Sequence, residues 1–179
     1  MNKVAVLLAA YNGEQWIQEQ ISSILKQKNV DVTLFISIDQ SSDNTLMLCE
    51  ELALSEPRIN LLPYGDIFGG AALNFYRLIK DVDFTSFDYI SFADQDDIWL
   101  PSKVEKMHQS ISKYNQTIPQ VLYSNAFLWN HQQGIISNKN TLTYPTTIRQ
   151  TLFLNTGIQG AAAIFNRKMC ELITQPLTH

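Results

Sequence analysis

Apolar positions along this chain fall into two alternating patterns. Val4 to Ala10 is an uninterrupted apolar run, as expected for a strand covered on both faces. Asn12-Gly13 breaks it. Glu14 to Lys28 then shows helical spacing, with Trp16, Ile17, Ile21, Ile24 and Leu25 on one side. The alternation repeats. "VTLFISID" (Val32 to Asp39) predicts a strand, "QSSDN" a turn with capping residues, and Thr45 to Leu54 a helix. "RINLLPY" predicts a third strand, and "FGGAALNFYRLIKDV" opens with glycines and becomes a helix. "FDYISFAD" is a fourth strand, followed by a helix with Pro101 as first residue and Ser102 to Tyr114 as its body. "QVLYSNAFLWN" predicts a fifth strand, "QQGIIS" a hairpin, and Thr147 to Leu154 a helix. "GAAAIFN" is a last strand, and Arg167 to Thr174 starts another helix.

Strand followed by helix, four times or more, predicts an α/β fold: a mostly parallel, Rossmann-like sheet with helices on both faces. The 179 residues suit a single domain, 1–179. In such sheets ligands bind beyond the carboxyl ends of the strands. Here those ends read "AAYNG", "IDQSSDN" and "ADQDD". Polar and acidic residues gather where the architecture puts its cleft.

Composition narrows the function. Hydrophobic residues make up 45% and charged residues 17%, a globular balance, and the net charge is −4. Lysine and arginine are scattered, so no nucleic-acid surface is expected. The two cysteines, Cys49 and Cys170, are far apart without a CxxC, which suits a reducing, cytoplasmic setting and no thiolate metal site. Val4 to Ala10 is too short to span a bilayer.

The chemistry concentrates in "ADQDD". Asp94, Asp96 and Asp97 repel one another, and no cation lies closer along the chain than Lys80 before them or Lys103 after them. A divalent cation resolves this: Mg²⁺ and Mn²⁺ take one or two carboxylates plus phosphate oxygens of a substrate. The alternative is a solvated loop whose Asp97 caps the next helix. Asp39 ends the second strand, placed either to accept hydrogen bonds from a base or ribose or to cap a helix. Tyr11 either stacks on a flat base or anchors its loop. Asn12 reads as the cap of the helix after it, and Ser41, Ser42 and Asp43 as caps of the next. Trp16 and Trp129 read as core; Trp99 is core or a pocket wall; His108 reads as a surface helix residue. GxxxxGK[ST], GxGxxG after the first strand, HExxH and GxSxG are all absent.

In combination, "VAVLLAAYNGEQWIQEQISSILKQ", "ISIDQSSDNT" and "FADQDDIWLPSKVE" resemble the family 2 glycosyltransferases, whose usual forms are a Tyr-Asn strand end, a "DDGSTDNT"-like segment and a "DxDD" segment. "DQDDIW" and "GAAAIFNRK" look most like bacterial rhamnosyltransferase-like members. The resemblance implies a GT-A fold, a nucleotide-diphosphate sugar donor, inversion at the anomeric carbon, Mg²⁺ or Mn²⁺ as cofactor, and a saccharide or lipid-linked acceptor in cell-surface polysaccharide synthesis. By that resemblance Ala10 and Tyr11 line the base pocket, Asp39 bonds the base, and Asp94 touches ribose or sugar. Asp96 coordinates the metal, with Asp97 a further candidate. Gly70 and Asn74 lie near the donor, and Gln159 and Gly160 near the sugar. Gln40 stands where the family has a second acidic residue. The carboxylate general base is expected past His179, so the chain reads as truncated there, with any peripheral attachment to the inner face of the membrane assigned to residues beyond it. The rival readings are a nucleotide-sugar-binding module without turnover, a nucleotidyltransferase, which would want a basic glycine-rich loop after the first strand, and a plain interaction domain.

Overall fold

The computed structural model describes residues 1–130, 132, 134–140 and 160–174. Four strand–helix units and a fifth strand come first: β1 (Lys3–Ala10), α1 (Ile17–Leu25), β2 (Asp31–Ile38), α2 (Thr45–Ser55), β3 (Ile59–Leu61), α3 (Ala71–Asp81), β4 (Tyr89–Asp94), α4 (Lys103–Ile111) and β5 (Val121–Tyr123). A hairpin of β6 (Ala126–Asn130) and β7 (Ile135–Asn140) follows. A 3₁₀ turn (Gly160–Ala162) then leads into β8 (Ala163–Asn166) and α5 (Arg167–Ile173).

Six strands form one sheet in the order β3-β2-β1-β4-β8-β5. β1, β2, β3 and β4 pair in parallel, and β8 runs antiparallel to both neighbours. Alternate residues of β1 face opposite cores, which is why Val4 to Ala10 has no polar position. Val4, Val6, Leu8 and Ala10 pack with Ile17, Ile21 and Ile24 of α1, Cys49 of α2 and Val104, Met107 and Ile111 of α4. Ala5, Leu7 and Ala9 pack with Leu78 of α3, Phe165 of β8 and Cys170 of α5. The sheet is therefore covered on both faces, as the pattern requires.

The described residues correct several expectations. "QVLYSNAFLWN" is two strands in two sheets. At Ser124 the backbone N–H turns to the Ala162 carbonyl (2.9 Å), and the chain leaves the main sheet. Pro101 precedes α4 in a turn, its carbonyl accepting from Lys28 N (3.0 Å). Asn12 caps no helix: it has φ +46°, and its Oδ1 accepts from Ser42 N (2.8 Å). Trp129 is 45% exposed rather than core, whereas Trp99 is core at 3%. His108 is half-buried, hydrogen-bonded to Asn2 Nδ2 and edge-on to Tyr89. The helix expected over 147–154 lies outside the described residues.

Candidate active site

Strand order sets the location. The chain runs from β1 outward through β2 to β3, then returns to place β4 on the other side of β1. The β1/β4 boundary is thus the switch point, where two strand ends diverge and leave a crevice. Register aligns the ends: Ala10 pairs with Ile38, and Ala9 with Asp94. The next residues along each strand, Tyr11, Asp39 and Gln95, emerge together.

They line a cleft of about 480 Å³ with Ala9, Gln40, Ile67, Gly69, Gly70, Ala71, Asn74, Asp94 and Asp96. This is an ordinary volume for a small-molecule site. The structure thus brings Tyr11, Asp39, Gly70, Asn74, Asp94 and Asp96 into one wall. Ala10 is buried behind it, its carbonyl accepting from Asp39 N (2.8 Å) and Asn74 Nδ2 (3.3 Å), and Ala9 lines the cleft instead. Gly160 opens the 3₁₀ turn; Gln159 lies outside the described residues.

Each wall is built differently. Tyr11 is 55% exposed, and its backbone is clamped by one side chain: Gln95 Oε1 accepts from Tyr11 N (2.8 Å) and Gln95 Nε2 donates to Tyr11 O (2.9 Å). That clamp explains Gly13. A Cβ there would lie 2.5 Å from Gln95 Oε1 and 2.8 Å from Cδ, closer than carbon tolerates. Asp39 is only 5% exposed and caps no helix. Its Oδ1 accepts from Gln40 N (2.8 Å) and Phe68 N (2.9 Å), and its Oδ2 from Gly69 N (3.0 Å). The carboxylate so pins the loop before α3, which turns at Gly69 with φ +72°, a left-handed value that favours glycine. Arg77 supports the same loop, donating to the Pro63 carbonyl and lying over the Phe68 ring (5.1 Å). Asn74, 2% exposed, donates to the Ala10 and Ser37 carbonyls, while its Oδ1 has no partner among the described residues. A buried carbonyl oxygen beside a cleft is a place for an incoming donor.

The "YNGE" and "SSDNT" segments hold each other. Ser41 Oγ accepts from Asn12 N (3.0 Å), Thr45 Oγ1 from Gly13 N (2.7 Å), Asp43 Oδ2 from Glu14 N (3.0 Å), and Glu14 Oε2 from Asn44 N (2.9 Å). Burial works to raise the Asp43 carboxyl, and bonds from Thr45 and the Glu14 and Thr45 backbones outweigh it, holding the group below its ordinary value.

The acidic loop has supports that sequence reading missed. Gln20 of α1 donates to Asp94 O (2.9 Å), Ser23 Oγ accepts from Trp99 N (3.0 Å), and Gln27 both donates to Leu100 O (2.8 Å) and accepts from Val104 N (3.0 Å). Among the described residues the cation drawn in is Lys103, whose Nζ lies over the Trp99 ring (3.6 Å) and donates to Ala161 O (2.6 Å). Desolvation pushes its ammonium down to about 7 against the pull of Asp97 and Asp94. Burial raises the Asp94 carboxyl, with Asp97 and Asp96 adding to it; desolvation raises Asp97 too, against the pull of Lys103. α4 has no side-chain cap, so Asp97 is not held as one.

Among the described residues no lysine or arginine lines the cleft, while Asp94 and Asp96 both do. Among the described residues no group of three or more His, Cys, Asp or Glu forms a closed cage. Two open carboxylates nevertheless fit Mg²⁺ or Mn²⁺, which complete their shells with substrate oxygens and water.

This switch-point cleft with a mixed sheet defines the GT-A class of glycosyltransferase fold. The pattern of "Glycosyl transferase family 2" matches residues 5–173, so the chain belongs to that family. It is 60% identical over 99 residues to the dTDP-rhamnosyl transferase RfbG of Shigella flexneri, covering 55% of this chain and 34% of that one. It is 30% identical over 178 residues to the UDP-Glc:alpha-D-GlcNAc-diphosphoundecaprenol beta-1,3-glucosyltransferase WfgD of Escherichia coli, covering 98% and 65%. The chain thus spans about a third of the first relative and under two thirds of the second. S. aureus TarS 1-349 superposes with a TM-score of 0.66 at 18% identity, over 92% of this chain and 47% of that one. The same protein has been solved with UDP-GlcNAc, with TM-score 0.58, 21% identity, and 68% and 33% coverage.

Proposed function

We propose that this chain forms the donor-binding part of a glycosyltransferase that moves a sugar, with inversion, from a nucleotide diphosphate to a saccharide or lipid-linked acceptor. The observation that carries the reading is the cleft itself: an aromatic ring, a buried amide oxygen without a partner among the described residues and three carboxylates, with no basic side chain among the described lining residues. A pyrophosphate would be repelled by such a lining. Asp96 would hold Mg²⁺ or Mn²⁺, with Asp94 beside it, and the ion would supply positive charge where the leaving diphosphate develops its own negative charge.

The chain's own groups do the rest. The exposed Tyr11 ring offers a face for a base. Asn74 Oδ1, and the remaining lone pair of Asp39 Oδ2, accept from base N–H groups. Asp94 takes a hydroxyl of ribose or sugar. The name of the 60% identical relative supports dTDP-rhamnose as the first donor to try, and the second relative's name supports a diphospholipid-linked acceptor. We place it in the cytoplasm, peripheral at the inner face of the membrane, a reading supported by the two separate buried thiols.

Calorimetry with dTDP, UDP and GDP, each with and without Mn²⁺, tests the reading. One nucleotide is expected to bind with Mn²⁺ and at least tenfold more weakly without it, and Asp96→Ala to abolish the difference. Unchanged affinity in Asp96→Ala with Mn²⁺ present refutes the role of Asp96.

A further inference from the structure

The cleft is polar at both ends and apolar at one point of its rim. Among the described residues that line it, Ile67 carries the one large aliphatic side chain, and that residue is 74% exposed. A single exposed isoleucine is ordinary on a protein surface. This one is set apart by how its backbone is held. Tyr64 Oη accepts from Ser41 N (3.2 Å) on one side of it, and Phe68 N and Gly69 N bond the buried Asp39 carboxylate on the other. Arg77 braces the start of the loop at the Pro63 carbonyl. The segment is anchored before and after Ile67, so the side chain is held at the rim.

Strand order says what Ile67 meets there. The ends of β4, β1 and β2 stand side by side in that order. Asp94 and Asp96 mark the β4 end, and Asp39 with the Ile67 loop marks the β2 end, two strand spacings or about 10 Å away. A nucleoside diphosphate reaches about that far from pyrophosphate to base. With the diphosphate at β4, the ribose lies toward β1 and the base at β2, its face on Tyr11. In a pyrimidine the edge far from the ribose is N3–C4–C5. Turning N3–H toward Asn74 and Asp39 sends C5 outward past them, to the loop in which Ile67 directly precedes the two residues that bond Asp39. At that atom uracil carries a hydrogen and thymine a methyl group.

We propose that Ile67 makes the cleft select thymine over uracil, by packing on the 5-methyl group of the base. The proposal rests on the donor-binding reading above. It divides the work at the β2 end: polar groups recognise the hydrogen-bonding edge that the two bases share, and one aliphatic side chain reads the single group by which they differ.

The test is calorimetry on this chain with dTDP, dUDP and UDP, all with Mn²⁺. The first two differ only in the methyl group, and the last two only in the ribose 2′-hydroxyl. Burying one methyl is worth about a fourfold change in affinity, so dTDP should bind about fourfold more tightly than dUDP. Ile67→Ala should bring that ratio close to one, and Ile67→Val should keep most of it. The ratio of UDP to dUDP should be the same in all three proteins, because the 2′-hydroxyl lies away from the rim. An undiminished dTDP preference in Ile67→Ala overturns the proposal. So does a shift of the ribose ratio alongside it, which would show that the variant moves the loop as a whole. Equal binding of dTDP and dUDP to the wild-type chain overturns it while leaving the donor reading intact; failure of all three nucleotides to bind overturns the two together.

Discussion

Asp39 offers the sharpest separation between holding a ligand and holding the protein. Its carboxylate receives three backbone N–H groups, two of them from the loop that carries Ile67, Gly69 and Gly70 into the cleft. Asp39→Asn keeps one acceptor oxygen and turns an NH₂ toward Gly69 N–H. That loses one charged hydrogen bond outright and the charge assistance on two others. Charged hydrogen bonds contribute about 1.5–3 kcal/mol and neutral ones about 1, so the gross loss is roughly 2.5–7 kcal/mol. Water reaching the exposed loop returns part of it, leaving about 2 kcal/mol.

The loop carries little of the core, so this cost appears as local opening rather than as global unfolding. Amide exchange at Phe68 and Gly69 should accelerate about 30-fold, and nucleotide–Mn²⁺ affinity should fall by a similar factor, because the loop must be ordered again on binding. Hydrogen-exchange mass spectrometry and calorimetry on the same samples read both. Affinity lost with exchange at 62–70 unchanged would refute the pinning argument and leave Asp39 acting by direct contact with the base, the role the family resemblance implies. Neither quantity changing would refute both.

Three further predictions follow from the same geometry. Gly13→Ala should push Gln95 off the Tyr11 backbone and cost about 1–2 kcal/mol of stability in urea; Gln95→Ala should cost the same, and the double variant no more than either, whereas additive losses would show the contact to be unimportant. Glu56 is held at about 2, from 4.5, by hydrogen bonds from the Arg58 side chain and backbone. That stability is present above pH 4.5 and lost as pH falls through 2, so the gap between wild type and Glu56→Gln should close on acidification; a constant gap sinks the assignment. Lys103 is pushed from 10.5 to about 7, so the unfolded chain holds more protons between these values and stability should rise with pH across that window. The thiols of Cys49 and Cys170, raised to about 12 by burial, act in the opposite direction above 9, so the readout is the difference from Lys103→Met, which lacks the rise; parallel curves refute the burial of the ammonium.

What could be read from the sequence divides along physical lines. β1 announces itself because a strand covered on both faces has no polar position, and α1 because Ile17, Ile21 and Ile24 repeat at helical spacing. Strand ends could be read too: carboxylates following a long apolar run have few other places to be. Direction could not, since Ala163–Asn166 has the same apolar pattern whether it runs parallel or antiparallel, and the six-stranded sheet takes it antiparallel. Nor could the break inside "QVLYSNAFLWN", where no glycine or proline marks the turn and the deciding bond, Ser124 N to Ala162 O, spans 38 positions.

The supports of the acidic loop were hidden for a deeper reason. Gln20 and Ser23 on α1 and Gln27 just past its end fall at i, i+3 and i+7, a polar stripe that sequence alone assigns to solvent. In the fold it faces the segment 94–104 and bonds its backbone in at least four places. Three carboxylates crowded into four positions repel, and a loop free to relax would spread them. Side-chain bonds to the backbone remove that freedom without neutralising any carboxylate, because each partner is a main-chain atom. Lys103 works in the same sense from the other side: it reaches the Ala161 carbonyl and the Trp99 face and leaves Asp96 untouched. The negative charge is therefore held in place and left available, the arrangement a site needs if a divalent cation arriving with its substrate is to find its ligands already set.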